Sequence, residues 1–260
     1  DLRLKPDIAG VGGQIYSTIN EDKYTMMSGT SMATPQVAGA SALVMQRLYD
    51  VGILERKDGK PDPMQEFLTV LVMMNTATPV KDTEVDNEAL YTPKQQGAGL
   101  VNLENVSKTF VTVTATGGKD TKEDGKLEVG EVGDSFEATF KLHNYSKKDI
   151  TFKPKYISLK DDVDQNGRYT EHARVALKEK SKEVITVPAN GDVEYKAEIS
   201  TSGIADNQFA QGYVMFESAD NPTLSVPYTG FKGDWSQPQF LDNMPDFSKD
   251  VNYKPIVYPN

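Results

Sequence analysis

Apolar positions along this chain change their period near residue 109. Between Ser31 and about Tyr49, Met32, Ala33, Val37, Ala38, Ala40, Ala42, Leu43 and Val44 cover more than one helical face. That pattern predicts a helix packed on most sides rather than one lying on a surface. Pro35 is placed in its first turn, where amide donors lack intrahelical partners anyway. A second, strongly apolar helix is predicted over 63–76 (PMQEFLTVLVMMNT), ended by Pro79. Residues 8–19 (IAGVGGQIYSTI) predict a glycine turn and a short alternating strand. The stretch 81–96 (KDTEVDNEALYTPKQQ) reads as a charged surface loop, and 97–108 (GAGLVNLENVSK) as a glycine turn before a short helix.

From Thr109 onward the period is two. TFVTVTAT, FEATFKL, DITFKPKY, EVITVP, DVEYKAEI, GYVMFE and TLSVPYT are short segments rich in β-branched and aromatic residues. Turn signals such as TGGKD, NYSKKD, PANGD and SADNP separate them, predicting an antiparallel β-sandwich of the immunoglobulin or fibronectin kind. The charge run KLEVGEVGD (126–134) is most simply a solvated face. Residues 235–260, rich in proline and aromatics without a period, read as extended chain or a linker, with Trp235 a packing anchor. The expected division is therefore 1–109, 110–234 and 235–260.

Composition narrows the chemistry. With 28 basic against 38 acidic residues the formal charge is −10, which disfavours nucleic acid and anionic lipid as partners. No apolar run is long enough to cross a bilayer. The chain has no cysteine, which excludes disulfides, thiolate nucleophiles and cysteine-based zinc sites.

Candidate chemistry gathers at SGTSMATP (28–35). A serine at a helix N-terminus sits where unpaired amides and the helix dipole favour developing negative charge. If Ser31 attacks a carbonyl, its own amide is placed to hold the oxyanion. Gly29 allows close backbone approach, and Thr30 adds a second hydroxyl. For the tripeptide GTS alone, a helix N-cap is the better reading. Two other serine patterns fail: G-x-S-x-G needs glycine where Ala33 stands, and S-x-x-K needs lysine where Thr34 stands.

The longer string G-T-S-M-A-T-P, continuing V-A-G, resembles the nucleophile motif of the subtilisin-like serine proteases (subtilases, peptidase family S8). KPDIAGVGG upstream resembles their K-P-D-I-x-A-P-G segment, with Gly10 and Val11 in place of Ala-Pro, a change expected to reshape only a turn. LVMMNTA and GAGLVN resemble the helix and turn that close the catalytic domain. A β-sandwich containing VPANGDVEY and VPYTGFKGDW resembles the fibronectin-like domain of bacterial cell-envelope proteinases of the lactocepin and C5a peptidase type. The resemblance implies the C-terminal part of an α/β, parallel-sheet catalytic domain followed by a fibronectin type III-like sandwich. It implies Ser31 as nucleophile, Thr30 as its support, Ser28 and Gly29 along the substrate approach, and Met32 packed behind the serine. It also implies a protein or peptide substrate, and a secreted or cell-wall location in a bacterium.

The resemblance further implies an order Asp, His, Ser, yet no histidine precedes Ser31. His143 and His172 fall among the strands, where satisfied or solvated surface histidines are the better reading. Asn20 is too close to Ser31 in sequence to serve as the family's oxyanion asparagine. The expectation is one third of a triad: a chain inactive alone, needing a missing N-terminal part of the catalytic domain to cover its helix and complete its chemistry. The competing expectation is a binding or spacer module with a remnant subtilase half. No cofactor is expected. Asp162, Asp164 and Asn166 have the first, third and fifth positions of a calcium loop, but Ala173 stands at the twelfth, so a solvated turn is preferred to calcium. Asn105-Val-Ser107 and Asn144-Tyr-Ser146 fit the glycosylation sequon, a triplet common by chance.

Overall fold

Two apolar clusters, one among helices and one between sheets, meet along a shared face. The computed structural model describes residues 2–82, 90–118, 120–163, 169–175 and 184–236. A hairpin of β1 (Ile15–Ile19) and β2 (Lys23–Met27) comes first, followed by helix α1 (Thr30–Asp50) and helix α2 (Gln65–Thr76). Two short helices, α3 (Pro93–Gln96) and α4 (Leu103–Lys108), lead into the strands.

The strands are β3 (Val111–Gly117), β4 (Asp120–Asp124), β5 (Leu127–Val132), β6 (Ser135–Asn144) and β7 (Ile150–Val163). They continue with β8 (Tyr169–Val175), β9 (Ile185–Val187), β10 (Gly191–Ser200), β11 (Gln208–Glu217) and β12 (Leu224–Lys232). One sheet has the order β10-β6-β3-β4; the other runs β5-β12-β11-β7-β8, with β9 also on β7. Phe140, Phe152, Phe216, Leu127 and Tyr228 are among the side chains that fill the space between them. All seven segments with period two are strands, and the match of residues and period explains why.

KLEVGEVGD is not a solvated face. It forms β5, where Leu127 and Val129 are fully buried and β5 pairs in parallel with β12. Glu128 and Glu131 face outward, so charge on one side masked the alternation. Gly130 is in the left-handed region (φ 70°) at a bulge, which shifts the parity and returns Val132 to the core.

The helical half departs from expectation in three ways. Helix α1 is not packed on most sides: it buries Ala40, Val44 and Leu48 along one stripe, while Leu43 is 55 % exposed. Tyr16, Tyr24, Met26 and Met27 of the hairpin are likewise exposed, with Tyr16 stacked on Tyr24. Pro35 lies beyond the first turn, as the sixth residue of α1. The segment 81–96 is not wholly a surface loop: Leu90 and Gln96 are buried, with Leu90 against Ile157, Leu159 and Tyr213. The parallel element of this half, among the described residues, is a single bridge between Ala9 and Leu100.

Helix α2 joins the halves. Its Leu71 and Met74 approach Gly125, and it packs against β3 and β12. Asn75, fully buried in an otherwise apolar turn, accepts from the Val113 amide at 2.7 Å and donates to the Val113 carbonyl at 3.0 Å. The Tyr213 hydroxyl donates to the Tyr91 and Gly97 carbonyls at 3.1 and 3.2 Å. Burial pushes that phenol far above its ordinary range, so it stays protonated and keeps donating.

Candidate active site

The hairpin delivers the chain to Ser28, and the turn 28–31 opens α1. Gly29, extended at φ 155° and ψ 170°, is the N-cap, and no side chain caps the helix. Its carbonyl accepts from Met32 and Ala33, while its amide donates to the Gly12 carbonyl at 2.8 Å. Pro35 has no amide proton, so the Ser31 carbonyl loses the donor a regular helix would supply. This turn is held from outside rather than from within. A Cβ on Gly12 would lie 2.6 Å from the Gly29 carbonyl oxygen, and one on Gly10 2.7 Å from a Val37 methyl. Gly10, where the resemblance expects alanine, thus approaches Val37 and the Ala33 carbonyl of α1 more closely than a side chain would allow without a shift.

Ser31 is exposed, and among the described residues neither its hydroxyl nor its amide has a hydrogen-bond partner. An unpaired amide at a helix N-terminus can accept a developing oxyanion. A groove of about 320 Å³ opens beside it, lined by Ile15, Thr25, Met27, Ser31, Met32 and Gln36, among others. The turn brings Ser28, Gly29, Thr30 and Ser31 together, but of these four only Ser31 lines the groove. The Ser28 hydroxyl instead accepts from the Gln14 amide at 2.8 Å, tying hairpin to turn. The Thr30 carbonyl accepts from the Thr34 hydroxyl at 2.8 Å. Met32 is half-buried and lines the same groove as Ser31.

Among the described residues no basic side chain lines the groove at Ser31. His143 lines a different groove, between α2 and β6, where its ring nitrogen bonds Asp192 at 2.7 Å and its ring packs edge-on against Tyr145. His172 is in β8, and its side chain lies outside the described residues, as do residues 164–168, which include Asp164 and Asn166. Asp162 is in β7, with its side chain also undescribed. Both sequon asparagines are structural. Asn144 is fully buried and donates to three carbonyls, and Asn105 donates to Thr76. Trp235 packs against Phe209 and Phe231.

Sequence reasoning missed the support on the far side of residues 4–12. Lys126, with a side chain only 10 % exposed, donates to Asp7 at 2.9 Å and to the Leu4 carbonyl at 3.0 Å. It also pairs with Glu128 at 3.0 Å. Burial would raise the Asp7 pKa, but hydrogen bonds and charge from Lys5 and Lys126 pull it below the ordinary value. Burial would lower that of Lys126, but Asp7 and Glu128 raise it overall. A carboxylate with a depressed folded pKa stabilises above its unfolded pKa and loses that contribution as pH falls through the folded one. The raised lysine contributes below its unfolded pKa and loses its share only as pH rises through the folded one. The pair is therefore intact from neutral pH into mild acid. Asp7→Asn should be less stable than the parent at pH 7, with the difference shrinking in urea titrations as pH falls below the ordinary carboxylate range.

Residues 1–99 match the subtilase family, and residues 127–229 match a Fn3-like domain. Over 94 % of its length the chain is 32 % identical to the PII-type proteinase of Lacticaseibacillus paracasei, of which it spans 13 %. Over 96 % of its length it is 34 % identical to the C5a peptidase of Streptococcus pyogenes serotype M18, of which it spans 22 %. The PII-type proteinase of Lactococcus lactis subsp. cremoris is 32 % identical over 94 % of the chain, which spans 13 % of it. Likeness to solved structures is slight: a PapD-like domain of human CEP192 aligns with 48 % of this chain and 86 % of its own at 15 % identity, with a TM-score of 0.33. Within the residues that match the subtilase family, the motif includes the exposed Ser31. No helix among the described residues is long and apolar enough to cross a membrane.

Proposed function

We propose that this chain is the nucleophile-bearing portion of a subtilisin-like serine endopeptidase of the bacterial cell envelope, acting on proteins or peptides outside the cell. The observation that carries this reading is the exposed Ser31 hydroxyl beside its own unpaired amide, at the head of α1 and open to the groove. Ser31 attacks the scissile carbonyl, its amide stabilises the tetrahedral oxyanion, and Thr30 supports the turn. The proton of Ser31 passes to a histidine oriented by an aspartate, both supplied by polypeptide outside these residues. The same polypeptide would bring the parallel sheet that covers α1 and the hairpin, completing an α/β domain over 1–109. Residues 110–234 form the fibronectin type III-like unit, and 235–260 lead onward. The buried joints at Asn75, Lys126 and Tyr213 favour this reading over a detached spacer module.

Labelling with a fluorophosphonate tests it. The chain extended to include the aspartate and histidine segments should label rapidly, with the adduct mapped to Ser31, while residues 1–260 alone should label at a background rate. Rapid labelling of the short chain, or an adduct on another serine of the extended one, would overturn the assignment.

A further inference from the structure

Residues 4–12 run from the sandwich to the turn that carries Ser31, and they are gripped along their length. At one end, three acceptors converge on Lys126: the Leu4 carbonyl, Asp7 and Glu128, at 3.0, 2.9 and 3.0 Å. The Leu4 amide in turn donates to Glu128 at 2.8 Å. In the middle, the Asp7 carbonyl accepts from Ala98 at 2.9 Å, and a Cβ on Gly97 (φ 62°) would stand 2.4 Å from that carbonyl. Ala9 donates to Gly99 at 2.9 Å and accepts from Val101 at 3.0 Å. At the other end, Gly12 accepts the Gly29 amide, and its α-carbon has no room for a side chain. Close packing of this kind passes a displacement along instead of absorbing it.

We infer that Lys126, on the Fn3-like unit, is a positioning residue for Ser31: it fixes Leu4 and Asp7, and residues 7–12 carry that register to Gly29. The inference rests on Ser31 being the nucleophile. Charge explains why a lysine is needed at this position. Without it, Asp7, Glu128 and the Leu4 carbonyl face one another with only the exposed Lys5 on Asp7 as counter-charge, and like partial charges push the segment off the sandwich. An arginine retains the charge and the donors.

Two measurements on Lys126→Met and Lys126→Arg test this, with Asp7→Asn as a second probe should Lys126→Met not fold. In the 260-residue chain, Lys126→Met should speed hydrogen exchange at the Gly29 and Gln14 amides about tenfold, leaving β6 and β10 unchanged, and Lys126→Arg should restore most of the protection. In the chain extended to carry the aspartate and histidine segments, Lys126→Met should lower kcat roughly tenfold with KM within about twofold, and Lys126→Arg should recover kcat. Exchange that rises only in residues 2–7, or equally everywhere, would overturn the positioning role. So would a kcat that stays at the parent value. If the exchange pattern holds while the parent extended chain hydrolyses nothing, the protease reading fails and the mechanical coupling stands.

Discussion

Ser31→Ala is expected to lower turnover on a peptide substrate by on the order of 10⁶-fold in the extended protein, the loss that removing the nucleophile causes in subtilisin. The structure makes this a clean substitution. The Ser31 hydroxyl is exposed and has no hydrogen-bond partner among the described residues, so its removal leaves no buried group unsatisfied. The amide that would hold the oxyanion stays in place, because the turn is fixed by the Gly29–Gly12 bond at 2.8 Å and not by the serine side chain. Stability should therefore be unchanged within about 0.5 kcal/mol, as for an ordinary surface substitution. Single-turnover kinetics alongside thermal unfolding would check both halves. Residual activity within about tenfold of the parent would place the nucleophile elsewhere.

Asn75→Leu is expected to cost about 3–5 kcal/mol, the largest stability effect foreseen here. Leucine keeps the branching and heavy-atom count of asparagine but none of its polarity, so the loss is mainly polar, with some overpacking from the bulkier methyl groups. The Val113 amide and carbonyl, now bonded at 2.7 and 3.0 Å, would be buried without partners. The joint between α2 and β3 is where that loss falls. Urea unfolding followed by tyrosine fluorescence should show one transition in the parent chain and two in the variant, with the helical half melting first. A change below about 1 kcal/mol would show that apolar packing of Leu71 and Met74 holds the joint unaided.

What the sequence disclosed depended on the range of the interaction. Seven strands were legible because alternation is local, and the turn at Ser31 because glycine, hydroxyl residues and a proline cluster within a few positions. Strand β5 was hidden by its own outward glutamates and by a bulge that breaks parity at Gly130. The burial of α1 was overestimated because an apolar helix shows what it could cover, not whether a partner is present. Asn75 gave one faint sign, a polar residue inside LVMMNTA, but its partner Val113 is 38 positions away. Lys126 and Asp7 are 119 apart, and nothing local marks either as half of a pair.

The three joints differ in how they would fare in recombination between relatives. Asn75 binds only main-chain atoms, those of Val113 and the Ser225 carbonyl, so any β-sandwich with strands in those positions can take their place. Lys126 and Tyr213 bind through their own side chains, to Asp7 and to the Tyr91 and Gly97 carbonyls. A chimera that exchanges residues 110–234 therefore inherits the first joint from geometry alone, and must import the other two residue by residue.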